Sequence, residues 1–488
     1  MTPHIGAAIS SSLLSSVGVK IVSFLVSTLI VRNSSASDFG KISVNFQLVV
    51  SLSLFILKEG VRRSAMRCPS FEDGRTMIWI GHILTSFIII PSVLIGYMQL
   101  VEQESWLVQL VLSVSLWIES FAEIILFEQA SVKKNLSIRN ISETWAALSS
   151  SLALFLSLLA FHDGSTAFVI SHNVFSILLL ILASRNLSIH KIVENAPIQL
   201  IKASFRRSEI TTPLAEMSLI SVQKLFLTEG ERILTLAYLP ANSVGQLGLV
   251  NNAGSLVLRI FFAPIDDIAF NAFTKCSDPE ERIAVLKSVL FLEVTIALLG
   301  IAFGIPLSHS VVYLLYGPHW AEQPSVILML QFYCVLLLLF ALNGSLEAYY
   351  VAVATSKQLR WSMVSQWMVF ATLAVTVFLA SPLGALAILI GNGVSMMVRI
   401  GWCFTVFSSF SDPFHPLLFK VLSRSMFGGL LCHFTLSYTC EYLLATLPSP
   451  NKRHFLNTCI VGAIAALTII SIFSSVRTAL NDLKKKQQ

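Results

Sequence analysis

Residues 43–57, SVNFQLVVSLSLFIL, carry no charge, and the chain then turns to Lys58-Glu59-Gly60-Val61-Arg62-Arg63. An apolar run that ends abruptly in bases reads as a helix meeting the edge of a membrane. The same alternation recurs along the chain. Of 488 residues, 55% are hydrophobic and only 12% charged, with a mean hydropathy of +0.76. Soluble domains carry roughly 25% charged residues, so most of this chain must sit in lipid. The excess of bases, 33 Lys and Arg against 27 Asp and Glu, is modest and flanks apolar runs. It concerns membrane orientation, and no nucleic-acid partner is expected. The seven cysteines form no CxxC pair, so a metal, redox or disulfide framework is not expected.

A spanning helix needs about 20 mostly apolar residues. Fourteen stretches meet that description: 7–31, 43–57, 77–99, 106–127, 144–162, 165–183, 210–228, 241–263, 284–306, 324–343, 361–380, 383–408, 424–446 and 455–475. The seventh contains Glu216, Gln223 and Lys224 and is the least apolar. With the N-terminus in the cytosol, cytosolic regions hold 24 of the bases and the opposite side five. That asymmetry predicts both ends in the cytosol. No cleavable signal peptide is expected, since the first apolar run lacks a basic leader and is long enough to span. The final Lys485-Lys486-Gln487-Gln488 resembles a dilysine retrieval signal for the endoplasmic reticulum; it reads equally as a solvated basic tail.

Four bases fall well within spans, away from their edges: Lys20, Lys224, Arg259 and Arg399. Facing lipid, each costs about 3 kcal/mol, on the order of 12 for the set. They must therefore pair with internal acids such as Glu119, Glu123, Glu216, Glu293 and Glu347, or serve a polar ligand. The cluster at 58–63 serves as a membrane anchor or as a phosphate site, because guanidinium groups bind phosphate bidentately. Glu59 and Arg63 share a helix face, as do Glu119 and Glu123. The latter two carry protons or a cation, or pair with Lys20 or Lys224, and the reading favours pairing. Asp266 and Asp267 lack a third ligand, so no metal is expected there. Small residues in the first and eighth spans (Ser10 to Gly18, and Ala253 to Ser255) fit a sliding bundle or any tight one. No GxxxxGK[ST] loop is present, and neither channel filters nor the large acidic loops of a sugar transferase occur. A transporter of something amphipathic remains, or a membrane scaffold.

Five segments, in order, resemble the Rft family of endoplasmic-reticulum membrane proteins. Ile30-Val31-Arg32 with Leu54 through Arg63 is similar to the signature LFLxREGxRRA, with Lys20 where arginine is usual. Ile118-Glu119 through Glu123, followed by Arg139 and Glu143, resembles IExxxEP and a downstream basic–acidic pair. Gln223 through Arg232 is similar to QxxxKxxLTEGE, and Asn252 through Asp267 to NxGSLVxRxxFxPxEE. The fifth combines Leu315-Tyr316-Gly317, Trp320, Tyr333-Cys334, Asn343-Gly344 and Glu347. Lysines at 20 and 58, Ile124 for proline and aspartates at 266 and 267 depart from the pattern.

That resemblance implies membership of the multidrug, oligosaccharidyl-lipid and polysaccharide exporter superfamily. The implied fold is an all-α polytopic membrane protein of about 14 transmembrane helices. Two six-helix lobes would surround a central cavity, with two more C-terminal helices. The expected divisions are an N-terminal lobe over 1–190, a cytosolic connector over 191–209, a C-terminal lobe over 210–410, two further spans over 411–476 and a tail over 477–488. The implied role is flipping of the dolichyl-pyrophosphate-linked heptasaccharide in the endoplasmic reticulum for N-glycosylation, with dolichol-linked oligosaccharide and membrane lipid as partners and no cofactor or enzymatic step. Arg62, Arg63, Lys224 and Arg259 are the expected phosphate contacts, supported by Lys20. Glu59 and Glu229 would hold those bases, with Glu119 and Glu123 as supporting ion pairs. The alternatives are an accessory that binds this lipid without moving it, and an ion-coupled exporter of small amphipathic solutes.

Overall fold

The computed structural model describes residues 22–68, 70–100, 105–132, 136–185, 208–275, 278–354 and 356–407, with 438–439, 456–457 and 459–460. Among them the secondary structure is helical throughout. Helix is the expected solution for apolar sequence in lipid, because it satisfies every main-chain polar group within one segment.

Helices occupy the described parts of the first twelve expected spans. They are α1 Val22–Arg32, α2 Ala36–Met66 and α3 Phe71–Met98; α4 Trp106–Val132, α5 Leu136–Phe161 and α6 Gly164–Ser184; α7 Ser208–Tyr238 and α8, residues 241–275; and α9 Pro279–Tyr316, α10 Pro324–Val353, α11 Ser356–Leu379 and α12 Leu386–Phe407. Eight of these positions are long and apolar enough to cross a membrane. The expected spans 424–446 and 455–475 lie almost wholly outside the described residues, as does the dilysine tail. Large apolar side chains such as Phe87, Trp106, Phe378 and Leu379 remain exposed on the helix surfaces, the pattern of faces solvated by lipid.

The described residues divide into two compact units that meet in sequence between Gly248 and Leu249. In the first, α6 packs against α4 and α5, and α7 packs against α2. Its core joins Leu57, Val61, Met77, Ile78, Ile124, Ile125 and Leu179. Phe46 stacks on Phe168 at 5.0 Å. The start of α8 crosses the start of α2 backbone to backbone. A Cβ on Gly245 would overlap the Ala36 carbonyl, and one on Gly40 would lie 2.8 Å from the Ala241 oxygen. Lipid supplies no hydrophobic drive between helices, so such close approach through small residues is how they gain packing energy. In the second unit α9 packs on α10, α11 on α12, and the end of α8 on α10. Ala269, Phe273, Leu286, Leu290 and Tyr349 form a core there.

Three helices carry π turns where the sequence shows no sign of one. In α2 they cover Lys41–Asn45 and Ile56–Val61, in α3 Thr85–Ile89, and in α8 Leu258–Phe262. A π turn inserts one residue and shifts the helical phase of the residues after it, and such turns concentrate at functional sites.

Candidate functional site

The second π turn of α2 carries Lys58 and Glu59, and the two side chains go to different partners. Lys58 Nζ binds Glu119 Oε1 on α4. Glu59 Oε2 accepts from Arg63 Nη2 at 2.6 Å and from Lys224 Nζ of α7 at 3.1 Å. One helix end thus builds two clusters, an inner one and an outer one.

The inner cluster is buried. Glu119 also lies 3.2 Å from His172 Nε2 of α6, and its side chain is 2% exposed. Glu123, one turn on, takes a bidentate contact from Arg139 at 3.0 and 3.2 Å. Arg139 reaches Glu143 as well, at 2.9 Å. Arg75 of α3 binds Glu128 at 2.7 Å, and His82 Nδ1 meets the Ser120 hydroxyl at 2.7 Å. Glu119 and Glu123 are therefore paired, but their partners correct the sequence reading. Lys58 and Arg139 hold them, because α4 packs against the end of α2 and against α5, whereas Lys224 faces Glu59. Lys20 lies outside the described residues, as do the side chains of Glu216 and Asp267.

The outer cluster is open. The Arg63 and Lys224 side chains are 54% and 42% exposed while sharing the Glu59 carboxylate. Two cations on one anion leave a net positive surface. Arg62 lies on the same turn and within the field of Arg139, Glu123 and Glu59. Glu229 does not join this group; it pairs with Arg232 at 2.8 Å, a base of its own helix.

Arg259 belongs to the second unit, in the π turn of α8. Its guanidinium folds back along its own helix, donating to the Asn252 carbonyl at 3.0 Å and the Ser255 carbonyl at 3.3 Å. Gly254 sits directly under the Tyr333 ring. Arg399 of α12 is half-buried, and its Nε has no acceptor among the described residues. Among those residues no group of three or more His, Cys, Asp or Glu side chains could hold a metal ion.

The Rft protein family profile matches residues 6–486. The chain belongs to the Rft family. The Man(5)GlcNAc(2)-PP-dolichol translocation protein RFT1 of Mus musculus is 23% identical, with 89% of this chain and 88% of that protein covered. The protein of the same name from Yarrowia lipolytica is 33% identical over 198 residues, which is 37% of this chain and 29% of that protein. For that relative and the Drosophila melanogaster one, the match spans only about a third of the relative's length. Among solved structures, lipid II flippase MurJ in an inward closed conformation has a TM-score of 0.62 at 14% identity, covering 94% of this chain and 98% of that one. An inward-facing multidrug resistance MATE family transporter scores 0.51 at 14% identity, covering 80% and 96%. At such identity the likeness shows the fold alone, a polytopic helical membrane fold shared with these two proteins.

Within this Rft-family chain, three contact groups were not anticipated. His172 is the titratable group of α6, and its position facing Glu119 is set by packing that the sequence does not display. Glu128 is the third acid of α4 after Glu119 and Glu123, a series that itself signals a charged face needing bases. Ser345, which donates to Glu293, carries no recognisable signal.

Proposed function

We propose that this Rft-family protein translocates a dolichyl-pyrophosphate-linked heptasaccharide, five mannoses on two N-acetylglucosamines. It would carry the lipid from the cytosolic to the luminal leaflet of the endoplasmic reticulum for protein N-glycosylation. The observation that carries the reading is the outer cluster, where Arg63 and Lys224 are half-exposed around the single carboxylate of Glu59. A pyrophosphate brings more negative charge than Glu59 and presents several acceptor oxygens. It would displace that carboxylate and take charge-assisted hydrogen bonds from the same bases. Glu59 then acts as a placeholder that keeps the bases ordered when no lipid is bound. The names of the relatives that align with most of this chain support the same cargo.

In this reading Arg62, Arg63, Lys224 and Arg259 contact the phosphates, and Lys20 supports them. The polar headgroup follows these bases while the dolichol tail stays in lipid. The fold has fourteen spans, two six-helix lobes followed by two C-terminal helices, with both termini cytosolic. Access alternates between the two leaflets.

The test uses purified protein in sealed liposomes containing the heptasaccharide lipid. Protection of that lipid from an external sugar-binding probe is followed over time, beside an Arg62→Ala/Arg63→Ala/Arg259→Ala variant. Accelerated flipping that the variant loses is the expected result. Binding of the lipid without acceleration would make the protein an accessory and the arginines a docking site.

A further inference from the structure

Glu293 lies within α9 and is fully buried, yet the charged group facing it is another acid. Asp266, from the segment of α8 after the π turn, stands within hydrogen-bonding reach of it. The Ser345 hydroxyl of α10 donates to Glu293 Oε2. Glu293 Oε1 receives no hydrogen bond from the described residues. The neighbouring Gly344 makes the arrangement possible, since a Cβ there would lie 2.5 Å from Asp266 Oδ2 and 3.1 Å from Oδ1. Only glycine at that position lets the Asp266 carboxyl pack flat against α10 beside Glu293.

Several other titratable groups on the packed helices have contacts of their own. Glu347 of α10 accepts from Asn343 at 3.4 Å. Tyr349 of α10 stacks edge-on against Phe273 and lies in the field of Arg282 from the start of α9. Arg259 is tied back to Asn252 and Ser255. His319, beyond the end of α9, meets the Trp320 ring edge-on.

Two ionised carboxylates in contact inside a protein repel strongly, and a buried carboxylate without a donor is costly. One proton between them removes both penalties, since it neutralises one acid and supplies the donor that Oε1 lacks. We propose that Glu293 and Asp266 bind one proton between them, forming a proton site in the second unit. The proton comes from water and joins a carboxylate oxygen; no other bond is made or broken. Movement of α8 away from α9 would separate the acids and change their hold on the proton. By linkage, proton release and that movement favour one another. The site does not depend on what the protein carries.

Infrared spectroscopy tests this with the full chain in phosphatidylcholine nanodiscs at neutral pH, comparing wild type with Glu293→Gln. The expected difference spectrum contains the C=O stretch of a protonated carboxylic acid, lost in the variant. Ser345→Ala, which removes one hydrogen bond to the pair, should shift that band without abolishing it. A wild-type spectrum with no protonated-acid band would overturn the proposal, and this reading needs no variant to fold. So would a band identical in Glu293→Gln, or one that is present in choline chloride buffer and vanishes in sodium chloride, which would make the site one for an alkali cation.

Discussion

The two units remove buried charge in opposite ways. In the first, Glu119, Glu123 and Glu128 each face a base, namely Lys58, Arg139 and Arg75. In the second, Glu293 faces Asp266. A buried ion can be neutralised by a counter-ion or by a proton, and the choice decides what a substitution costs. Removing one member of an ion pair leaves the other newly unpaired and buried, whereas amidating an acid that already holds the proton adds no charge to its surroundings.

The same substitution in each unit separates the two cases. Glu119→Gln leaves the Lys58 ammonium without its carboxylate and should cost about 3 kcal/mol or more, read as a lower unfolding midpoint in detergent. A Lys58→Met/Glu119→Leu double variant should recover most of that loss. Glu293→Gln should cost no more than about 1 kcal/mol, the range of one altered hydrogen bond. Equal costs for the two glutamines would erase the distinction between the units. Between these lies Gly245→Ala, whose new methyl meets the Ala36 carbonyl and should cost about 1–3 kcal/mol, as overpacking does. Arg63→Ala and Lys224→Ala, at half-exposed pairs, should each change stability by less than about 1 kcal/mol.

The smallest expected effect is a pH dependence at the start of α6. Asp163 caps that helix by accepting from the Thr166 amide at 2.8 Å. Burial opposes its charge, but the hydrogen bonds from Thr166 and Ser165 outweigh this and hold its pKa below 3.8. Its contribution is thus complete above the unfolded-state value and lost as pH falls through the lower folded-state value. Asp163→Asn keeps the cap and should flatten the acid limb of an unfolding-midpoint profile slightly, with no change at neutral pH.

Hydropathy located the described spans because lipid demands continuous apolar sequence, and α6 and α12 begin and end close to their expected limits. Where helices extend past the membrane, the limits moved. α9 begins at Pro279 on a polar turn of Glu280, Glu281 and Arg282, ahead of the expected 284. The charged residues themselves were legible, since Glu59, Glu119, Glu123, Arg62, Arg63 and Lys224 stand out against apolar neighbours. Their partners were not, because pairing depends on which helices touch. Lys58 read as part of a membrane anchor or a phosphate site, yet it neutralises Glu119 on a helix two further along the chain. The π turns were equally hidden, although the one at Ile56–Val61 carries both Lys58, which joins the inner cluster, and Glu59, which joins the outer.

The division between a buried structural cluster and an open binding cluster has one direct test. Affinity for the dolichyl-pyrophosphate heptasaccharide is measured in nanodiscs for wild type and Arg63→Ala/Lys224→Ala, with unfolding midpoints recorded on the same samples. The account predicts at least about a tenfold weaker affinity, the effect of losing charge-assisted hydrogen bonds worth roughly 1.4 kcal/mol or more, at a nearly unchanged midpoint. Unchanged affinity in a folded variant would contradict it and leave the outer cluster as a membrane anchor.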